Sequence, residues 1–252
     1  MIRLHNMNVI LEKQKILHNI SCVFRKHEFI SIIGQNGSGK STLLKTLSGY
    51  LPYEGHIYVD NNELKTMERK ARAKMVSYLP QNRNIPNMKV SEFIAHGRYP
   101  HLSFSRTLQA IDRQKFNEAI KITNVSMLLN RQLASLSGGE RQRVYIAMML
   151  VQDANILLLD EVVTFLDIKH QLDVLDLLKQ LHQHGKTIIM VAHDLVQAFT
   201  YSTNIILLQD GNIILKGTPE DIYKHALIKE NFGVVLIQNH QENDLYRFQL
   251  GK

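Results

Sequence analysis

The chain has 252 residues, 44% of them hydrophobic and 21% charged, a composition that excludes a disordered polypeptide and leaves room for a sizeable core. Thirty Lys and Arg against 23 Asp and Glu give a net charge of +7, spread too evenly to choose between nucleic acid, anionic membrane and phosphate partners. No window approaches about 18 consecutive apolar residues, which excludes a membrane-spanning helix, and the single cysteine cannot close an internal disulfide.

Met1-Ile2-Arg3-Leu4-His5-Asn6 lacks the apolar core of a signal peptide, so a soluble, cytoplasmic chain is expected. Cys22, within Ile20-Ser21-Cys22-Val23-Phe24, reads as a buried thiol. The apolar runs 29–33, 75–79, 156–159, 187–191 and 205–208 read as strands. Those at 156–159 and 187–191 are apolar on both faces, as buried parallel strands require. Between them 168–184 reads as an amphipathic helix, with Leu172, Leu175, Leu178 and Leu181 at helical spacing. Strand, crossover helix and strand predict an α/β fold. Residues 91–155 carry little strand signal and two helical patterns, near 112–123 and 140–152, and read as a mostly helical insert.

The strand at 29–33 runs directly into Gly34-Gln35-Asn36-Gly37-Ser38-Gly39-Lys40-Ser41, with a helical stretch from Thr42 to Ser48 behind it. Glycines at this spacing let successive backbone N–H groups converge on one concavity. That concavity sits at a helix N-terminus, where partial positive charge favours phosphate. Lys40 is expected to reach the β- and γ-phosphates and the Ser41 hydroxyl to ligate Mg²⁺.

Ile156-Leu157-Leu158-Leu159-Asp160-Glu161 ends a buried strand with two carboxylates, at the sheet end where ligands of α/β proteins gather. Neighbouring strand residues point to opposite sides, so the pair divides its work: Asp160 for metal, Glu161 for the attacking water. Leu136-Ser137-Gly138-Gly139-Glu140-Arg141-Gln142-Arg143 opens a second helix with small residues. Ser137 could simply cap that helix. One phosphate loop already serves one nucleotide, so a second anion-binding terminus suggests a head-to-tail dimer with two shared sites.

Residues 34–42, Gln81, residues 136–143, Asp160 with Glu161, and His193 resemble the Walker A motif, Q-loop, signature, Walker B motif and switch histidine of ABC-type ATPases. They follow the family's order and spacing. The resemblance implies a P-loop NTPase with an ABC-type α/β core, a mixed sheet and a helical subdomain at roughly 84–152, in one domain spanning 1–252. It implies two such domains, expected to be identical copies, enclosing two ATP molecules. Lys40 and the loop amides from Gly34 to Thr42 would hold the phosphates. Ser41, Gln81 and Asp160 would surround Mg²⁺, Glu161 would be the general base, and His193 would contact the γ-phosphate. Ser137, Gly138, Gly139 and Glu140 would meet the partner's nucleotide, and Asp167 resembles the aspartate of the loop that crosses the dimer interface.

Gly97-Arg98-Tyr99-Pro100-His101 and the segment 165–171 are similar to the ATPases of iron–siderophore, haem and cobalamin importers. That group works at the cytoplasmic face of the membrane beneath permease subunits, served indirectly by an extracytoplasmic substrate-binding protein, with no nucleic acid partner. The family places its permease contact in the helical insert, where 97–101 lies. Other members assemble iron–sulfur clusters, import metal ions or act on DNA; the DNA-associated ones need coiled coils or paired domains for which this length has no room.

Two positions depart from the family pattern. Val162 and Val163 stand where members carry Pro-Thr or Pro-Ser, so the loop into Asp167 is expected to be less rigid. Leu11 stands where many relatives stack a tyrosine on adenine, so weaker discrimination for ATP over GTP is expected.

Overall fold

The computed structural model describes residues 1–102, 107–223, 225–239 and 245–250. Its strands are β1 (Ile2–Leu11), β2 (Gln14–Phe24), β3 (Phe29–Ile33), β4 (Glu54–Val59), β5 (Asn62–Glu63), β6 (Val76–Leu79), β7 (Ile156–Asp160), β8 (Thr187–Val191), β9 (Asn204–Gln209), β10 (Asn212–Gly217), β11 (Val234–Asn239) and β12 (Leu245–Leu250). Its helices are α1 (Lys40–Leu47), α2 (Arg69–Met75), α3 (Val90–Ala95), α4 (Ala110–Thr123), α5 (Gly138–Val151), α6 (Ile168–Gln183), α7 (Leu195–Tyr201), α8 (Pro219–Ile222) and α9 (Ala226–Phe232). The chain forms two compact units, Met1–Thr66 with Thr187–Lys252, and Met67–Lys186.

In the first unit β1 and β2 form an antiparallel hairpin through Glu12 and Lys13, both at positive φ (48° and 67°), as two-residue hairpin turns require. β1 also pairs antiparallel with β4, giving the order β2-β1-β4-β5. The alternation of β1 breaks between Leu4 and Met7, where the register shifts and Asn6 adopts φ 48°. A second strand set runs β10-β9-β3-β8, with β3 parallel to both β8 and β9. Every residue of β3 and β8 is buried, as expected for strands covered on both faces. β11 and β12 form a further antiparallel pair.

In the second unit β6 pairs parallel with β7, from Val76 opposite Ile156 to Leu79 opposite Leu159. A parallel pair needs a long crossover, and α3, α4 and α5 supply it. Val90, Ile94, Ile120, Leu133, Val144 and Ala147 form their shared core.

Residues 97–101 belong to the second unit. They form a 3-10 turn, His96–His101, in which Gly97, Arg98 and Pro100 are buried. Arg98 Nε donates to Asp112 Oδ1 at 2.7 Å, and Arg98 Nη1 donates to the Val151 carbonyl at 2.9 Å. Tyr99 is 55% exposed. Among the described residues no helix is long and apolar enough to cross a membrane.

Candidate functional site

The phosphate loop belongs to the first unit. β3 delivers Gly34 at φ +152°, and a Cβ there would lie 2.1 Å from the Leu208 carbonyl oxygen, so only glycine fits. Gln35, Asn36 and Gly37 are exposed, while Ser38, Gly39 and Lys40 are buried. Gly39 is the N-cap of α1 at φ 100° and supplies no side-chain cap. A glycine N-cap therefore places no side chain over the start of α1. Ser38 Oγ is buried and has no hydrogen-bond partner. Lys40 is only 5% exposed, and its Nζ donates to the carbonyl oxygens of Gly34 and Gln35, each at 2.8 Å. These contacts hold the ammonium group across the loop. An uncapped helix start, an orphaned hydroxyl and a buried cation form a lining suited to phosphate oxygens.

Leu11, half-buried, pairs with Gln14 at the tip of the β1–β2 hairpin. From β2, Leu17 approaches the loop: its Cδ2 would lie 2.7 Å from a Cβ on Gly39. His193 is exposed just beyond β8, ahead of α7, whose N-cap Asp194 accepts from Gln197 N at 3.1 Å.

The second unit holds the other motifs. Asp160 ends β7 and is 1% exposed, and its Oδ2 accepts a hydrogen bond from the Tyr78 hydroxyl at 3.2 Å. Glu161 leaves the strand at φ 52°, which separates it from Asp160. Gln81 Nε2 donates to Glu161 Oε2. Two residues that the resemblance assigns to different motifs are thus in direct contact. Beyond them Val162 is buried, and two turn bonds hold the loop: Thr164 N to Glu161 O at 3.2 Å and Leu166 N to Val163 O at 3.4 Å.

Ser137 caps α5 and closes a capping box with Glu140. Ser137 Oγ accepts from Glu140 N at 3.3 Å, and Glu140 Oε2 accepts from Ser137 N at 2.9 Å. The Ser137 backbone N–H, aided by Arg131, holds the Glu140 carboxyl below its ordinary pKa. The capping reading of Ser137 is therefore correct and leaves the small residues Gly138 and Gly139 at the helix start. Asp167 caps α6, accepting from His170 N at 2.9 Å, and its two carboxylate oxygens lie 2.8 and 2.7 Å from His170 Nδ1. The His170 backbone N–H, then its side chain, hold the Asp167 carboxyl below its ordinary pKa.

Tyr78 and His170 were not singled out by sequence reasoning. The Tyr78 contact depends on the β6–β7 register, which no local pattern records. His170 carried a legible signal, since Asp167-x-x-His170 places it one turn beyond an N-cap.

The ABC transporter family's sequence model matches residues 17–164. The petrobactin import ATP-binding protein FpuC of Bacillus anthracis is 42% identical over 221 residues, which are 86% of this chain and 81% of that protein. The ferric enterobactin transport ATP-binding protein FepC of Escherichia coli (strain K12) is 38% identical, over 88% of this chain and 83% of that protein. Among solved structures, a dimeric post-hydrolysis state of the ATP-binding cassette MJ0796 bound to ADP and Pi superposes with a TM-score of 0.77. It covers 87% of this chain and 99% of that one at 27% identity.

Proposed function

The chain belongs to the ABC transporter family, and from that premise we propose that it is the ATP-hydrolysing subunit of a membrane importer for iron–siderophore complexes or haem. The observation that carries the chemistry is the Gln81–Glu161 contact beside the buried Asp160, in a chain that also carries an uncapped phosphate loop. The names of the relatives support the substrate class.

In this reading ATP is the substrate. The loop amides from Gly34 to Thr42 and the Lys40 ammonium hold its phosphates, and Leu11 covers one face of the base. Mg²⁺ takes hard oxygen donors, and the Ser41 hydroxyl, the Gln81 amide oxygen and the Asp160 carboxylate supply that donor set. Bound there, the ion would neutralise developing phosphate charge. Glu161 orients and deprotonates the attacking water, held in place by Gln81. His193 contacts the γ-phosphate.

We read the chain as one ABC ATPase domain, 1–252, with a helical subdomain at roughly 84–152. It acts as a homodimer in which Ser137, Gly138, Gly139 and Glu140 of one copy meet the nucleotide of the other. Asp167 lies in the loop between them. Phe165 (93% exposed) and Ile168 (76% exposed) flank Asp167, as expected of a surface that association buries. The dimer works at the cytoplasmic face of the membrane, beneath permease subunits and, through them, an extracytoplasmic substrate-binding protein. No nucleic acid partner is involved.

Affinity purification of the tagged chain from detergent-solubilised membranes tests this reading. Recovery of a polytopic membrane protein, with ATP hydrolysis stimulated in the complex, is the expected result. Recovery only from the soluble fraction, with iron–sulfur assembly factors, would refute the importer assignment.

A further inference from the structure

We propose that Arg83, Arg141, Gln142 and Tyr145 form a socket for one carboxylate, carried by an acidic side chain of a docking protein segment. The socket itself is read from geometry alone; only the identity of the docking protein, the membrane partner, rests on the function proposed above.

The Arg83 guanidinium stacks on the Tyr145 ring with its Cζ 4.3 Å from the centroid, and Nη2 donates to Gln142 Oε1 at 3.0 Å. Arg141 and Tyr145 are four residues apart on α5 and so share a face. Arg141 Nη2 donates to the Leu136 carbonyl at 2.7 Å, which fixes that guanidinium. Phe93 packs edge-on against Tyr145 with centroids 5.2 Å apart, walling the cluster.

Four polar atoms here are buried without a hydrogen-bond partner: Arg83 Nη1, Arg141 Nε, Gln142 Nε2 and Tyr145 Oη. All four carry hydrogen-bond donors. Orphaned buried donors are costly and rare in folded proteins, so four together call for an acceptor. Among the described residues no carboxylate forms an ion pair with Arg83 or Arg141. Burial, with the neighbouring Arg141 charge, pushes the Arg83 pKa below its ordinary value. Burial likewise pushes the Tyr145 hydroxyl up, which keeps it a donor.

The donor set selects the occupant. A water molecule would bring two O–H donors into a lining whose free valences are nearly all donors. A carboxylate only accepts, offers about four lone-pair sites, and matches the planar fork of a guanidinium. It would also neutralise one of two adjacent positive charges. Gln142 and Tyr145 are each 5% exposed, whereas Arg83 and Arg141 are half-buried, so the arginines form the rim by which a side chain enters.

The test titrates the full-length chain, labelled with ¹⁵N-arginine, with N-acetyl-glutamate N-methylamide and follows the arginine Nε–Hε resonances. Saturable shifts of the Arg83 and Arg141 signals are expected, with none from the uncharged glutamine analogue. Arg83→Gln and Tyr145→Phe should each weaken the response about tenfold. Both variants should bind ATP as the parent does, which separates this site from the ATPase reading. Equal response to the glutamine analogue, or no response to either, overturns the proposal. A larger saturable response to sodium phosphate also overturns it, by making the cluster a small-oxyanion site.

Discussion

The imidazole of His170 lies across Gly139 so closely that a Cβ on the glycine would sit 2.1 Å from its Cδ2. The same ring meets the Asp167 carboxylate through Nδ1. One side chain thus joins the start of α6 to the start of α5. Gly139→Ala should therefore destabilise the parent, by about 1–3 kcal/mol from overpacking. In a His170→Ala background the ring is gone, and the same change should be neutral or stabilising by up to about 1 kcal/mol, from helix propensity alone. Urea midpoints of the four proteins measure this sign reversal. Equal effects in both backgrounds would contradict the contact.

Arg98 and Asp112 are 4% and 5% exposed and form a buried ion pair. Asp112→Ala should cost about 3–5 kcal/mol, because it leaves the guanidinium buried without its partner. Burial pushes the Asp112 carboxyl up, but the Gln109 backbone N–H and the Arg98 guanidinium outweigh it and hold the pKa below its ordinary value. A carboxyl depressed in the folded state stabilises above its unfolded pKa, and that stabilisation is lost as pH falls through the folded value. The gap in melting temperature between parent and variant should thus be full at neutral pH and narrow on acidification below the ordinary carboxylate range. A gap that widens with acid would contradict the assignment.

The buried parallel strands were legible because each is apolar on both faces. β3 and β8 have the bounds their runs predict, and β7 extends one residue to include Asp160. The antiparallel strands β1, β2 and β4 left no clear pattern, since register shifts at Met7 and Val9 break the period of two. The hairpin turn is Glu12-Lys13, without the glycine or asparagine that marks such turns. The burial of residues 97–101 left no local signal, because it depends on Asp112 and Val151, distant in sequence. The site motifs were legible because phosphate and metal chemistry fixes residue type at fixed spacing. Arg83 and Tyr78 were not, because their roles come only from tertiary contacts.

Lys40 is buried, with Nζ bonded to two carbonyl oxygens of its own loop. Lys40→Ala removes the only side-chain cation of that loop, and ATP affinity should fall at least about tenfold. Isothermal titration with ATP checks this, and retained affinity would contradict the phosphate-loop assignment.

Leu11 presents an aliphatic side chain at the hairpin tip. If it covers the base, Leu11→Tyr should raise the preference for ATP over GTP about two- to tenfold, the aromatic contribution being about 0.5–1.5 kcal/mol. Competition binding with both nucleotides measures the ratio. An equally strong ATP preference in both proteins would remove Leu11 from the base site.

The Gln81–Glu161 contact carries the central claim, that Glu161 activates water for ATP hydrolysis. Single-turnover hydrolysis by Glu161→Gln, with ATP binding and oligomeric state measured on the same sample, tests it most directly. The account predicts ATP binding close to that of the parent, turnover reduced about 100-fold or more, and an accumulated ATP-bound dimer. Turnover at the parent's rate in a variant that binds ATP would contradict it.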